Sequence, residues 1–154
     1  MNVDELIESL QKSGKGFLYP ERDKFVQVGD KVYAQGKWTV KDIIQHLIDF
    51  ERIFSYRALR FARNDKIQLS GYDENIYAIT ANGSNRELDG LLEEFYVVRE
   101  STIRLYKSFS PEMLTMEGQI PSGNISVFAI GVHIIKHTIH HIGVIKEKYY
   151  GLIE

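Results

Sequence analysis

The sequence predicts an all-α fold, most economically a four-helix bundle, and three observations carry the prediction. Ile43, Leu47, Phe50, Phe54, Ala58 and Phe61 recur at helical spacing, one continuous apolar stripe through residues 40–63. Leu88, Leu91, Leu92, Phe95 and Val98 begin a second stripe that continues to about Ser108. Residues 125–149 contain no proline and few polar side chains, and read as a helix buried on most sides.

Each element has its own signal. Val3, Leu6, Ile7 and Leu10 mark a short first helix over residues 3–12, ended by Ser13-Gly14-Lys15-Gly16. Residues 17–37 are poorly patterned. They read either as a small hairpin around Gly29-Asp30 or as more helix, because short apolar runs fit both. Thr39 with Asp42 is a capping-box pair, so a long helix is expected from Val40 to about Arg63. Residues 69–82 form a long connection with helical turns expected near Asp73–Ile79, and Tyr72 and Tyr77 are placed beside a pocket. Ser84 with Glu87 reads as the capping box of the next helix. Ser110-Pro111 opens a short turn, residues 118–123 are a loop that admits brief extended structure, and Asn124 or Ser126 caps the last helix, which Gly151 stops. These connections are too long for a minimal up-down bundle.

The chain has 154 residues, enough for a single domain, 1–154, with a substantial core. A net charge of −2 argues against a nucleic-acid partner, which would call for a basic excess. Arg52, Arg57, Arg60, Arg63 and Lys66 cluster locally and are expected on a solvated helix face. The absence of cysteine excludes disulfides, thiolate ligands and a cysteine nucleophile, so any soft metal must be held by histidine and carboxylate. No signal-peptide pattern opens the chain, and the apolar run from Ile125 to Ile135 is broken and short for a membrane span; a cytoplasmic protein without a membrane partner is expected.

The chemistry concentrates in His133-Ile134-Ile135-Lys136-His137-Thr138-Ile139-His140-His141, which holds four of the five histidines. His137 and His141 lie one turn apart and about 40° offset, so their rings point the same way. Two imidazoles so placed make half of a site for a borderline-soft divalent cation. The fifth, His46, sits in the other strongly apolar helix. The three are expected to meet in the interior and hold a metal, since three buried neutral rings otherwise leave ring nitrogens unpaired at about 1–3 kcal/mol each. His133, one turn before His137, is read as lining the approach to the site rather than as a fourth ligand; His140 points elsewhere. Asp42 and Asp49 bracket His46 and are read as surface ion pairs before any ligand-orienting role, while Glu51 lies on another face.

Trp38, His46, Asp49, Glu51 and Arg52, the loop from Leu69 to Tyr77, and His137-x-x-His140-His141 followed by Lys146-Glu147-Lys148-Tyr149 resemble the DinB/YfiT-like four-helix bundles in identity and order. The resemblance covers most of the chain from Trp38 onward. It implies a metal, zinc or nickel, held by His46, His137 and His141, and a homodimer. It also implies an enzyme that uses the metal on a small-molecule substrate, either as a hydrolase or as a transferase activating a low-molecular-weight thiol. One departure is Lys136-His137-Thr138, where the family commonly has Gly-His-Glu. Two functions follow: a metal-dependent enzyme whose fourth coordination position stays open, or a non-catalytic, metal-stabilised interaction protein whose site is saturated.

Overall fold

The computed structural model describes Met1–Glu154. Helix α1, Val3–Lys12, starts at a capping box formed by Asn2 and Glu5. Helices α2 (Lys15–Leu18) and α3 (Arg22–Val28) follow, joined by a 3-10 turn, Tyr19–Glu21, in which Pro20 takes an early position that needs no N–H. The helical alternative therefore holds as far as Val28, residues 29–39 are turns and irregular chain, and the hairpin does not form. Phe25 and Val28, one turn apart, are both buried, so helical periodicity serves the core here.

Helix α4, Val40–Ala62, begins at the expected Thr39–Asp42 capping box. Helix α5, Glu74–Ala81, is capped by Asp73 and buries none of its side chains. Helix α6 runs Leu88–Lys107, and its start corrects the expected capping box. Ser84 belongs to a 3-10 turn, Gly83–Asn85, and its N–H donates instead to Asp42 Oδ1 at 3.0 Å. Gly83 is pressed onto α4, where a Cβ would lie 2.9 Å from Gln45 Cβ, and that docking spends the residues a local cap would need. Helix α7, Pro111–Thr115, is capped by Ser110. Strands β1 (Glu117–Ile120) and β2 (Gly123–Ser126) then pair antiparallel, so the brief extended structure admitted for this loop forms and reaches beyond it on both sides. Ser126, not Asn124, caps α8, Val127–Val144, which continues through a π turn and a 3-10 turn to Leu152.

The four long helices form the bundle. Both α4 and α1 pack against α6 and α8, so the order around the bundle is α1, α6, α4, α8. Contacts Gln45–Arg86, Arg52–Glu94 and Ser55–Thr102 ascend together, which makes α4 and α6 parallel. Along α4 and α8 the contacts run oppositely, His46 meeting His141 and Phe54 meeting His133, so that pair is antiparallel. A parallel neighbour requires the chain to return the length of α4, roughly 35 Å for 23 residues. Residues 63–87 make that return, which is why the connection is long and why α5 lies outside the bundle.

The core has two apolar parts. One gathers Phe50, Phe54, Phe61, Ile103, Tyr106 and Ile130; the other gathers Ile44, Leu47, Leu91, Phe95, Ile142 and Tyr149. Buried polar groups lie between them: His46, Glu51, Arg99, Thr138 and Ser13. Val127–Leu152, at mean hydropathy 1.2, is long and apolar enough to cross a membrane by length and composition, more than the broken run Ile125–Ile135 suggests. In this fold it is an inner helix, with Ile130, Ile134, Ile142 and Ile145 buried in the two cores.

Candidate metal centre

The antiparallel pairing of α4 with α8 brings His46 onto the face that carries His137 and His141. His46 Nε2 lies 3.1 Å from His137 Nε2, and His141 Nε2 lies 3.2 Å from it. The three ring centroids stand 4.9, 4.8 and 4.6 Å apart, a nearly equilateral triangle, and one nitrogen from each ring falls within 4.8 Å of the others. The Phe50 ring, one turn after His46, stacks on His137 at 3.6 Å and 14° and holds it flat against α4.

The nitrogen spacing fits a divalent cation. Tetrahedral ligands at about 2.0–2.1 Å from zinc stand roughly 3.3 Å apart along each edge, close to the two spacings observed. Hydrogen bonding alone leaves the cluster short. A neutral imidazole has one N–H and one lone pair, so His137 Nε2 can satisfy one neighbour well, not two. The buried His137 Nδ1 has no partner at all, so either tautomer leaves this ring incompletely satisfied. Coordination through Nε2 would relieve the crowded apex of the triangle.

Electrostatics agree. Burial pushes the His137 ring down to about 2, helped by repulsion from His141 and His46. Burial lowers His46 to about 4, and burial with repulsion from His46 lowers His141 to about 4. All three are therefore neutral bases near pH 7, the form that binds a metal.

His133 is outside this triangle, its ring 6.3 Å from that of His137. It lines a cleft of about 450 Å³ together with Phe50, Phe54, Arg57, Tyr72 and Ile125. Burial, with Arg57 and Lys136 nearby, lowers its pKa. A second cleft, about 310 Å³, is lined by His141, His140, Trp38 and Asn75. Glu74 faces the first cleft and Asn75 the second, so the first turn of α5 stands between them. Of the loop tyrosines, Tyr72 reaches the larger cleft, and Tyr77 packs beside it with ring centroids 4.9 Å apart.

The carboxylates near His46 do not orient it. Asp42 is bound to Thr39 and Ser84, and Asp49 accepts from Gln45 Nε2 at 3.0 Å. Burial raises the Asp49 pKa. Glu51 is fully buried against Arg99, whose Nε and Nη2 donate to it at 2.7 and 2.9 Å. Arg99 also donates to Leu10 O, Ser13 Oγ and Thr138 Oγ1, tying α1, α4, α6 and α8 together beside His137. Sequence reasoning passed over Arg99. Its one signal was a charged residue among the apolar positions of the third long helix, one residue after Val98.

Arg57 corrects the expected solvated face. Arg52 and Arg60 pair with Glu94 and Asp65, but Arg57 is 5% exposed, and its Nη2 donates to Ser70 O at 3.1 Å. The α4 stripe is wide enough at Ala58 and Phe61 that its flank also faces inward.

A helical bundle with a partly buried cluster of three histidines between two of its helices is the class that fold and site define. The chain belongs to the DinB superfamily, whose family model matches residues 26–145. Among solved structures it is similar to YfiT from Bacillus subtilis, at 20% identity and a TM-score of 0.77, over 94% of this chain and 84% of that one. YfiT is described as a probable metal-dependent hydrolase with an unusual four-helix bundle topology. A search of curated proteins finds no match.

Proposed function

We propose that this protein binds one divalent metal ion, zinc or nickel, through His46, His137 and His141, and uses it as an enzyme on a small molecule. The reaction class is hydrolysis or transfer of a low-molecular-weight thiol, the second suited to a chain with no cysteine of its own. The observation that carries the reading is the convergence of three neutral imidazoles, His46 buried and His137 and His141 half-buried, two with Nε2 atoms 3.1 and 3.2 Å from the third. The likeness to YfiT and its description as metal-dependent support it.

A cation bound there supplies Lewis acidity, which makes a water or thiol more acidic at neutral pH. The chain's own residues do the rest. Phe50 fixes the plane of His137, and Phe54 stacks on Phe50 in turn. His133, neutral and in the cleft wall, is placed to accept or return a proton at a ring nitrogen. The second cleft, which His141 itself lines, leaves the triangle an open side and favours turnover over a saturated, purely stabilising site. A homodimer is part of the proposal, and exposed Ile76 and Ile79 on α5 offer it an apolar face.

The test is elemental analysis of untagged protein purified without chelator. One metal per chain is expected, lost in His137→Ala while helical circular dichroism is kept. Full metal retention in that variant overturns the reading. Ester and amide panels, then thiol cofactors paired with electrophiles, separate hydrolysis from transfer.

A further inference from the structure

Arg57 is a buried cation without a counter-ion. A guanidinium carries five N–H donors and is seldom buried unless a carboxylate or phosphate pairs with it. Here Nη2 meets the carbonyl of Ser70, and no carboxylate lies within ion-pair distance. Every other arginine nitrogen that lacks a hydrogen bond keeps contact with open space, since the one buried unpartnered side-chain atom of the protein is His137 Nδ1. Arg57 lines two clefts, one of about 410 Å³ beside Tyr56, Arg60 and Tyr77 and the 450 Å³ cleft, and of the two only the second is also lined by His133. The Phe54 ring packs 4.7 Å from Arg57 Cζ and holds the guanidinium in place.

Much of the remaining wall is apolar, from Phe50, Phe54, Ile120, Pro121 and Ile125, and two lining residues, Phe50 and His133, neighbour His137 with ring centroids 3.6 and 6.3 Å from it. Glu74 is on the rim, not paired with Arg57. A pocket with one fixed guanidinium and an aromatic and aliphatic wall selects a small planar or aliphatic body ending in a carboxylate, against the repulsion of Glu74 at the rim.

We propose that this cleft is the substrate pocket and that Arg57 binds a carboxylate on the substrate, leaving the body against Phe50 and Phe54 and the reacting group toward His133 and the histidine cluster. Only that last direction rests on the metal-enzyme reading; carboxylate recognition by Arg57 stands apart from it. Glu74 repels the same anion and so weakens binding.

Isothermal titration of chelator-treated protein with benzoate, benzamide and inorganic phosphate tests this. Benzoate binds, and benzamide binds about tenfold weaker or more, the worth of a charge-assisted hydrogen-bonded pair. Phosphate binds weaker than benzoate because it gains nothing from the apolar wall. Arg57→Gln, shown folded by circular dichroism, removes the preference for benzoate over benzamide. Glu74→Gln, at an exposed position, tightens benzoate. Equal binding of benzoate and benzamide, a preference that survives Arg57→Gln, phosphate tighter than benzoate, or no benzoate binding even to Glu74→Gln each overturns the proposal. Benzoate binding only after metal loading also overturns it, because the anion then sits on the cation; the metal-site reading would survive. Metal retention in His137→Ala would sink that reading and leave the benzoate result untouched.

Discussion

His46 Nε2 and His137 Nε2 stand 3.1 Å apart although 91 positions separate the residues in the chain. Two lone-pair nitrogens at that distance repel unless a proton or a cation lies between them. With His141 Nε2 at 3.2 Å from the same atom, one proton cannot serve both contacts. The cluster is therefore a place where binding a cation also stabilises the fold.

Zinc or nickel added to stripped protein should raise the melting temperature. At a hundredfold excess over Kd, the gain is about 2.7 kcal/mol. His46→Ala should abolish the shift, as read by differential scanning fluorimetry with and without metal. An equal shift in that variant would place the metal elsewhere.

The metal-free protein should lose stability as pH falls below neutral. The folded rings hold no proton until about pH 4 for His46 and His141 and about 2 for His137, whereas the unfolded chain takes protons near the ordinary value of 6.5. The unfolded state thus binds more protons below about pH 6.5, and stability, fully present above that value, drops toward pH 4. Urea midpoints at pH 7 and pH 5 measure it, and bound metal should steepen the loss because protons displace it. A midpoint that does not change between the two pH values counts against neutral, desolvated rings.

Glu51→Ala should cost about 3–5 kcal/mol, because it strands the fully buried Arg99 without its carboxylate. Thr138→Val removes one weaker partner of the same guanidinium and should cost about 1–3 kcal/mol. Urea denaturation of both variants checks the order. A Glu51→Ala loss no larger than that of Thr138→Val would mean that the pair contributes no more than one hydroxyl.

Gly118→Ala should destabilise by about 1–3 kcal/mol, since its Cβ would fall 2.0 Å from a Phe61 ring carbon and force α4 and β1 apart. Phe61→Leu in the same chain should return part of the loss, measured as a double-mutant cycle. Strict additivity of the two changes would rule out that contact as the cause.

Periodicity, capping and i, i+4 spacing are settled within a turn or two of chain, so the four bundle helices, the Thr39–Asp42 cap and the pairing of His137 with His141 were legible in the residues, while the short helices between Lys15 and Val28 were open to two readings. The sequence also named His46 as the third imidazole, the one histidine outside the last helix. It misplaced the Ser84–Glu87 cap, because docking of Gly83 on α4 competes with a local signal it cannot register. Only the tertiary structure decided that α4 runs parallel to α6 and antiparallel to α8. That choice turns Glu51 toward Arg99, sets His46 opposite His137, and leaves Arg57 facing a cleft instead of water. A long polar side chain looks the same in sequence whether its helix flank meets solvent or a neighbour, and the neighbour is fixed by how the crossover from residue 63 to residue 87 returns the chain.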